Sequence, residues 1–361
     1  MDPVPESRLR ERFAAFLPQA RFLGSEECYG GHINRTFFVD AEIYGQKRRY
    51  VLQSLNKNVF KNYAGVMENV FRISAHLGGK SLDVGSEDPT RDHIHFIRTA
   101  DGGMGVDGEV GFWRLYRYID HAEGRLRATS THEARAAAAA FGRFQWLLAD
   151  FPSPRLWEPI HAFHDTRQRF ANLEKAAADD PAGRYAGVKA DVDAFLALRA
   201  EALKVQEAFE RGEFPERIAH NDAKYSNVLM DPATEKAVCV IDLDTCMPGL
   251  SLHDFGDLMR SMTCDRPEDE KDVSTIAVRR EMYDALIEGF VSQAGNFLLP
   301  AETKLLANAG VAITLETGSR FLADYLDGDH YFHTAYPEHN LVRARSQLAL
   351  ARSMLDTLPV A

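Results

Sequence analysis

An α+β fold, with a small antiparallel sheet followed by a larger, mainly helical region, is predicted by three observations. Short β-rich runs follow one another in series, RFLGSEECY, TFFVDAEIY and RRYVLQSL, and strands in direct succession read as antiparallel neighbours. The composition shifts near residue 120, after which helical periodicity dominates. The stretch THEARAAAAAFGRFQWLLADF opens that second part, its alanines giving high intrinsic helicity and its aromatic residues a face to bury. The chain is therefore divided into an N-terminal region, 1–120, and a C-terminal region, 121–361.

The elements follow in order. Residues 6–17 repeat apolar positions at helical spacing ahead of the three strands. From Tyr63 to Leu77 the pattern is helical again, and Gly78-Gly79 is expected to stop it in a left-handed cap. Two further strands are expected in HIHFIRTA and GFWRLYRYI, joined by the turn-rich DGGMGVDGE. The proline-containing FPSPRLWEP reads as a connector within the helical region.

With 361 residues, 45% hydrophobic and 26% charged, the chain has an ordinary globular composition, which excludes disorder, collagen and coiled coil. The net charge, 42 − 53 = −11, argues against a nucleic-acid partner, whose binding needs a basic face. A small-molecule partner is the better expectation, and no obligate protein partner is implied. No apolar run approaches the roughly 20 residues needed to span a bilayer, and MDPVPESRLRERF lacks the apolar core of a secretory signal, so a cytoplasmic location without membrane contact is expected. Cys28, Cys239, Cys246 and Cys264 form no CxxC pair and are expected to be free thiols.

The chemistry is concentrated in RIAHNDAKYSNVLMDPATEKAVCVIDLDTCMPG. His220-Asn221-Asp222 reaches Asn227 after four intervening residues, the spacing of a kinase catalytic loop. A hairpin follows, VLM and AVCVI about the turn DPATEK, and leads into Asp242; this arrangement is expected to face Asp242 toward Asn227. Phosphoryl transfer needs positioning and charge neutralisation, so Asn227 and Asp242 are candidate magnesium ligands. Asp222 is the candidate base for a hydroxyl nucleophile. His220 is expected to brace the loop backbone. The triplet Asp254-Phe255-Gly256 spells a protein-kinase metal motif, but no strand ends there, and SLHDFGDLMRSM reads as a helix start. Asp254 or Asp257 is instead expected to cap amides or buttress the catalytic loop.

These residues resemble the aminoglycoside phosphotransferase and choline kinase superfamily, with Asn221 standing where the superfamily loop has glycine. The stretches GGHINRTFFV, YVLQSLN, FGRFQ, AFHDTRQRF, HNDAKYSNVLMD, VIDLDTCMPG, DFGD, RFLADYLDGDHYF and YPEHNLVRARSQ resemble more closely the N-acetylhexosamine 1-kinase family, from Gly30 almost to the C-terminus. The resemblance implies a protein-kinase-like bilobal fold, ATP and magnesium as cofactors, and transfer of the γ-phosphate to the anomeric hydroxyl of N-acetylglucosamine or N-acetylgalactosamine.

Beside it, the N-terminal residues read as a nucleotide site. Gly30 and Gly31 let backbone amides approach phosphate, and Asn34 and Thr36 offer polar side chains. Gln53 stands on its strand where a phosphate-binding lysine is expected, with Lys57 or Lys61 as substitutes, and Glu68 is then left without its usual ion-pair partner. Tyr118 and Ile119 offer backbone groups to adenine. His32, Arg320 and Tyr331 are carried over as sugar contacts by the resemblance. Lys224 is expected to neutralise transferred phosphate or bond a sugar hydroxyl, and Asp244 to be a second metal contact or a hydroxyl acceptor. The rival readings are the same fold acting on N-acetylmuramic acid, an aminoglycoside, choline or homoserine; a non-catalytic nucleotide-binding module, suggested by Gln53; and a metal-dependent hydrolase.

Overall fold

The computed structural model describes residues 3–28, 33–86, 88–109, 111–152 and 155–361. They form two compact units. The first comprises Met1–Ala122, Pro152–Ile160 and Val238–Met247; the second comprises Glu123–Phe151, His161–Ala237 and Pro248–Ala361. The first unit thus takes in two segments that lie beyond residue 120 in the chain.

In the first unit, helix α1 (Glu6–Ala14) precedes strands β1 (Arg21–Cys28), β2 (Arg35–Ile43) and β3 (Gln46–Leu55), and α2 (Tyr63–Asp83) precedes β4 (Phe96–Ile97), β5 (Val106–Asp107) and β6 (Phe112–Arg117). The sheet order is β1-β2-β3-β6-β4, with β5 also on β6, and the pairs are antiparallel. Alternation along the strands sends Phe37, Val39, Ala41, Tyr50 and Leu52 to one face, where Leu9 and Phe13 of α1 close the core with Trp113 and Leu115. The turn DGGMGVDGE therefore holds a short strand of its own, and HIHFIRTA shrinks to two paired residues.

Helix α2 does not stop at Gly78-Gly79 but runs to Asp83. A Cβ at Gly78 would lie 2.7 Å from Nε2 of His93, so the glycine serves close packing rather than termination. The left-handed glycine comes later, at Gly85 with φ +66°. Asn69 of α2, 1% exposed, explains why the two late segments join this unit. Its side chain donates to the carbonyls of Trp157 (2.8 Å) and Cys246 (3.2 Å) and accepts from the Trp157 amide (3.0 Å).

In the second unit, β7 (Glu123–Gly124) leads to α3 (Thr131–Leu147), α4 (Thr166–Asp179), α5 (Tyr185–Ala197) and α6 (Arg199–Glu210). Strands β8 (Arg217–Ala219) and β9 (Val228–Met230) flank the catalytic-loop sequence, and α7 (Ser251–Met262), α8 (Arg280–Ala294), α9 (Pro300–Lys304), α10 (Leu306–Asp327) and α11 (His339–Thr357) complete it. Ser130 and Glu133 form a reciprocal capping box that starts α3 at the expected place. Helix α10 is apolar almost all round, and its burial among α4, α6, α7 and α11 follows from that. Small residues let the helices cross closely: a Cβ on Gly289 of α8 would sit 2.1 Å from the Arg135 carbonyl of α3, and one on Gly256 of α7 would sit 2.4 Å from that of Ala309 on α10. No helix among the described residues is long and apolar enough to cross a membrane.

Candidate active site

The first unit assembles a buried polar network across its sheet. Gln53 on β3 pairs directly with Arg114 on β6, and with Thr36 on β2. Its amide donates to Thr36 Oγ1 (2.9 Å), while its oxygen accepts from Arg114 Nε (2.9 Å) and Nη2 (2.5 Å). Arg114 then holds Asp244 through Nη1 and Nη2, at 2.5 and 3.0 Å, and Asn34 donates to the same carboxylate at 2.7 Å. Asn34 also accepts the Asn56 amide at 3.0 Å. Asp244 is 2% exposed and both of its oxygens are occupied, an arrangement suited to bracing a loop rather than to meeting a substrate.

A cation therefore does reach Gln53, but from the neighbouring strand. Lys57 is paired with Asp107, and Glu68 accepts the Trp157 indole N–H at 2.8 Å. Asp242 is exposed and adopts a left-handed conformation at φ +61°, two residues beyond the end of the strand Ala237–Val240. Tyr118 and Ile119 follow β6, the Tyr118 amide donating to the Arg49 carbonyl at 3.4 Å. Gly30, Gly31 and His32 lie outside the described residues.

The second unit builds the loop His220–Asn227. Asp222 Oδ2 pairs with Lys224 Nζ at 2.9 Å and accepts from Asn227 Nδ2 at 3.0 Å; the same amide donates to the Asp222 carbonyl at 2.8 Å. Burial opposes ionisation of Asp222, but the Lys224 charge, His220 and the Asn227 amide outweigh it and bring its pKa down to about 2. Both amide donors of Asn227 thus face Asp222, leaving the amide oxygen as its remaining donor atom for a cation. His220 is fully buried between the rings of Phe141 and Phe144, at 5.3 and 5.8 Å.

Asp254 lies inside α7 and is fully buried. It accepts the amides of His220 (2.9 Å) and Asn221 (2.7 Å) and the Gln145 side chain (2.6 Å). The Asp-Phe-Gly triplet is a buttress of the catalytic loop, as its helical setting implied. Asp257 binds Arg260 at 2.7 Å.

On α10, the Arg320 guanidinium lies over the rings of Phe163 (5.1 Å), Phe332 (5.4 Å) and Tyr331 (5.9 Å). Tyr331 is 62% exposed. Among the described residues no carboxylate is within ion-pair distance of Arg320, and the carboxylate one turn back, Glu316, is engaged by His164 and Thr166. Sequence reasoning missed Arg114, His164 and Glu316. The available signals were a charge within the apolar strand FWRLY, the AFHD stretch, and a lone acid in the apolar run AGVAITLETG.

A model described as the phosphotransferase enzyme family matches residues 26–287, well over half of the chain. Among solved structures, spectinomycin phosphotransferase in complex with ADP and spectinomycin is 12% identical with a TM-score of 0.59, covering 98% of this chain and 99% of that one. A microcompartment-associated aminopropanol kinase is 16% identical with a TM-score of 0.60, covering 97% and 98%. Choline kinase LicA from Streptococcus pneumoniae is 15% identical with a TM-score of 0.56, covering 97% and 98%. These likenesses establish the kinase-like fold that the resemblance implied, with the antiparallel sheet followed by a helical C-terminal part that the sequence pattern predicted. Taken with the match over residues 26–287, they make this chain a member of the phosphotransferase enzyme family.

Proposed function

We propose that this phosphotransferase moves the γ-phosphate of ATP to the anomeric C1 hydroxyl of an N-acetylhexosamine, N-acetylglucosamine or N-acetylgalactosamine. The observation that carries the reading is the Asp222 carboxylate, held by Lys224 and Asn227 in a loop of kinase spacing. In a loose transition state the hydroxyl proton leaves late, so a weakly basic carboxylate that orients the nucleophile and then accepts its proton suffices. Lys224, beside that carboxylate, is proposed to meet the negative charge of the transferred group. Support for a nucleotide comes from the spectinomycin phosphotransferase, which was solved with ADP.

Asn227 and Asp242 are the proposed magnesium ligands. Both offer the hard oxygen donors that magnesium requires. Bound there, the ion would neutralise charge on the phosphates. Gly30 and Gly31 are proposed to cover those phosphates, and the backbone after β6, at Tyr118 and Ile119, to receive adenine. Gln53 enters as the link between Thr36 and Arg114 rather than as a replacement for a lysine.

The acceptor class follows from charge. A guanidinium framed by aromatic rings, with no carboxylate within ion-pair distance among the described residues, suits sugar hydroxyls and an acetamido carbonyl, and disfavours a quaternary amine or polycation. Arg320, Tyr331 and His32 are therefore proposed to contact the sugar. The test is a panel of N-acetylglucosamine, N-acetylgalactosamine, N-acetylmuramic acid, spectinomycin, choline and homoserine with ATP and magnesium, followed by phosphorus NMR of the product. A sugar 1-phosphate is expected. A 6-phosphate, or turnover of choline alone, refutes the acceptor assignment, and ATP consumption indifferent to every acceptor refutes catalysis.

A further inference from the structure

His164 lies just ahead of α4, its side chain 8% exposed. Its Nδ1 is 2.8 Å from Glu316 Oε1, and its Nε2 is 3.0 Å from the carbonyl oxygen of Asn221. Both partners are acceptors: a backbone carbonyl, and a carboxylate whose second oxygen takes the Thr166 hydroxyl at 2.7 Å. A neutral imidazole carries one N–H and serves one of them; serving both requires the imidazolium.

The surroundings agree with that state. Glu316 and Arg320 face His164 from α10, and His253 faces it from α7 with ring centroids 4.7 Å apart. Burial disfavours charge on His164, but Glu316 reverses this and holds its pKa above the usual histidine range, against a smaller opposing effect of Arg320. Burial drives the His253 pKa down to about 3, helped by the charge on His164, so His253 stays neutral.

Asn221 has φ +63°, in the left-handed region that asparagine enters more readily than other residues with a Cβ. The residue is gripped at both ends. Its amide is held by Asp254 and its carbonyl by His164. The next residue is Asp222.

We infer that His164 and Glu316 form a positioning pair: the charged imidazole pins the Asn221 carbonyl and so fixes the backbone from which the Asp222 carboxylate projects. The inference rests on Asp222 being the proton acceptor. It also ties α10, where Arg320 follows Glu316 by one turn, to the catalytic loop, so that the helix proposed to meet the acceptor and the loop that activates it move together.

Glu316→Gln keeps the size of the side chain and removes the charge that keeps His164 protonated. Nitrogen NMR of the wild-type histidines is expected to show both His164 nitrogens protonated near pH 7, where a free histidine has lost most of its charge. With ATP, magnesium and N-acetylglucosamine, turnover of E316Q is expected to fall as pH rises, reaching about ten-fold below wild type at the alkaline end of the profile, with KM values little changed. A neutral His164 in the wild-type protein near pH 7 overturns the inference, and needs no variant to fold. An E316Q profile parallel to wild type, accompanied only by a lower melting temperature, overturns it as well. Asp222→Asn measured alongside separates the two readings: retained turnover there removes the base, whereas an inactive D222N beside an unaltered E316Q profile removes the pair alone.

Discussion

Arg114 and Asp244 form a two-pronged ion pair with both side chains almost entirely out of water, at 3% and 2% exposure. The pair joins the middle of the sheet to the segment that follows Asp242, and Gln53 and Asn34 satisfy further positions on each partner. Removing one member strands the other as a buried, uncompensated charge.

Arg114→Met is accordingly expected to destabilise the protein by about 3–5 kcal/mol. The double variant Arg114→Met, Asp244→Leu should recover part of that loss, because no charge is left buried. Urea unfolding measures both. A single variant within about 0.5 kcal/mol of wild type would show that the pair is not sustained in solution.

On the proposed reading of Asp222 as the base, Lys224 is expected to set the acid limit of the reaction. With its pKa down at about 2, Asp222 is ionised throughout the ordinary assay range; the stabilisation from its partners is present above the unfolded carboxylate range, near 4, and is lost as pH falls through about 2. Lys224→Met removes the main opposing charge, leaving burial to raise the pKa. The acid limb of kcat/KM is then expected to move upward, into the measurable region, in a profile taken from about pH 4 to pH 8. An unshifted limb, with activity otherwise intact, would mean that Asp222 is not the titrating base.

Much of this was legible along the chain, and the parts that were not share a physical cause. Strands β1, β2 and β3 could be read because β-rich runs follow one another in series, with burial alternating clearly along β2, and α3 because its cap and its alanines are local signals. Gly78 misled because a glycine chosen for contact with His93 looks the same in sequence as one chosen to end a helix. Within the site, the spacing from Asp222 to Asn227 is local and was visible. The partners of Gln53, Asp244 and His164 lie 61, 130 and 152 residues away, and register and packing, not spacing, bring them together. Sequence therefore suggested Asp244 as a substrate or metal contact, whereas its burial against Arg114 makes it a brace.

Asp254 can be tested as a buttress independently of chemistry. Asp254→Asn replaces one acceptor oxygen by an amide facing a donor already present, so about one or two of its three hydrogen bonds are lost in a fully buried setting. A cost of about 2–4 kcal/mol is expected. Turnover should fall with it even at temperatures where the variant is folded, since the amides released belong to His220 and Asn221. Were Asp254 instead a metal ligand, excess magnesium would restore the rate; under the buttress reading it does not.

Arg320 separates binding from chemistry. Its guanidinium touches three rings and no carboxylate among the described residues, so its substitution should leave the catalytic loop and the Glu316–His164 pair standing. Loss of contacts made equally to ground and transition state raises KM without lowering kcat. Arg320→Ala is thus expected to raise KM for the N-acetylhexosamine by about ten- to a hundred-fold while KM for ATP stays within about two-fold of wild type. Arg320→Lys keeps the charge but forfeits the planar fork and its stacking on Phe163 and Phe332, and should recover little of the loss. Initial-rate measurements over both substrates decide the point: an unchanged KM for the sugar would remove Arg320 from acceptor recognition, and a fall in kcat alone would instead make it part of the scaffold around His164.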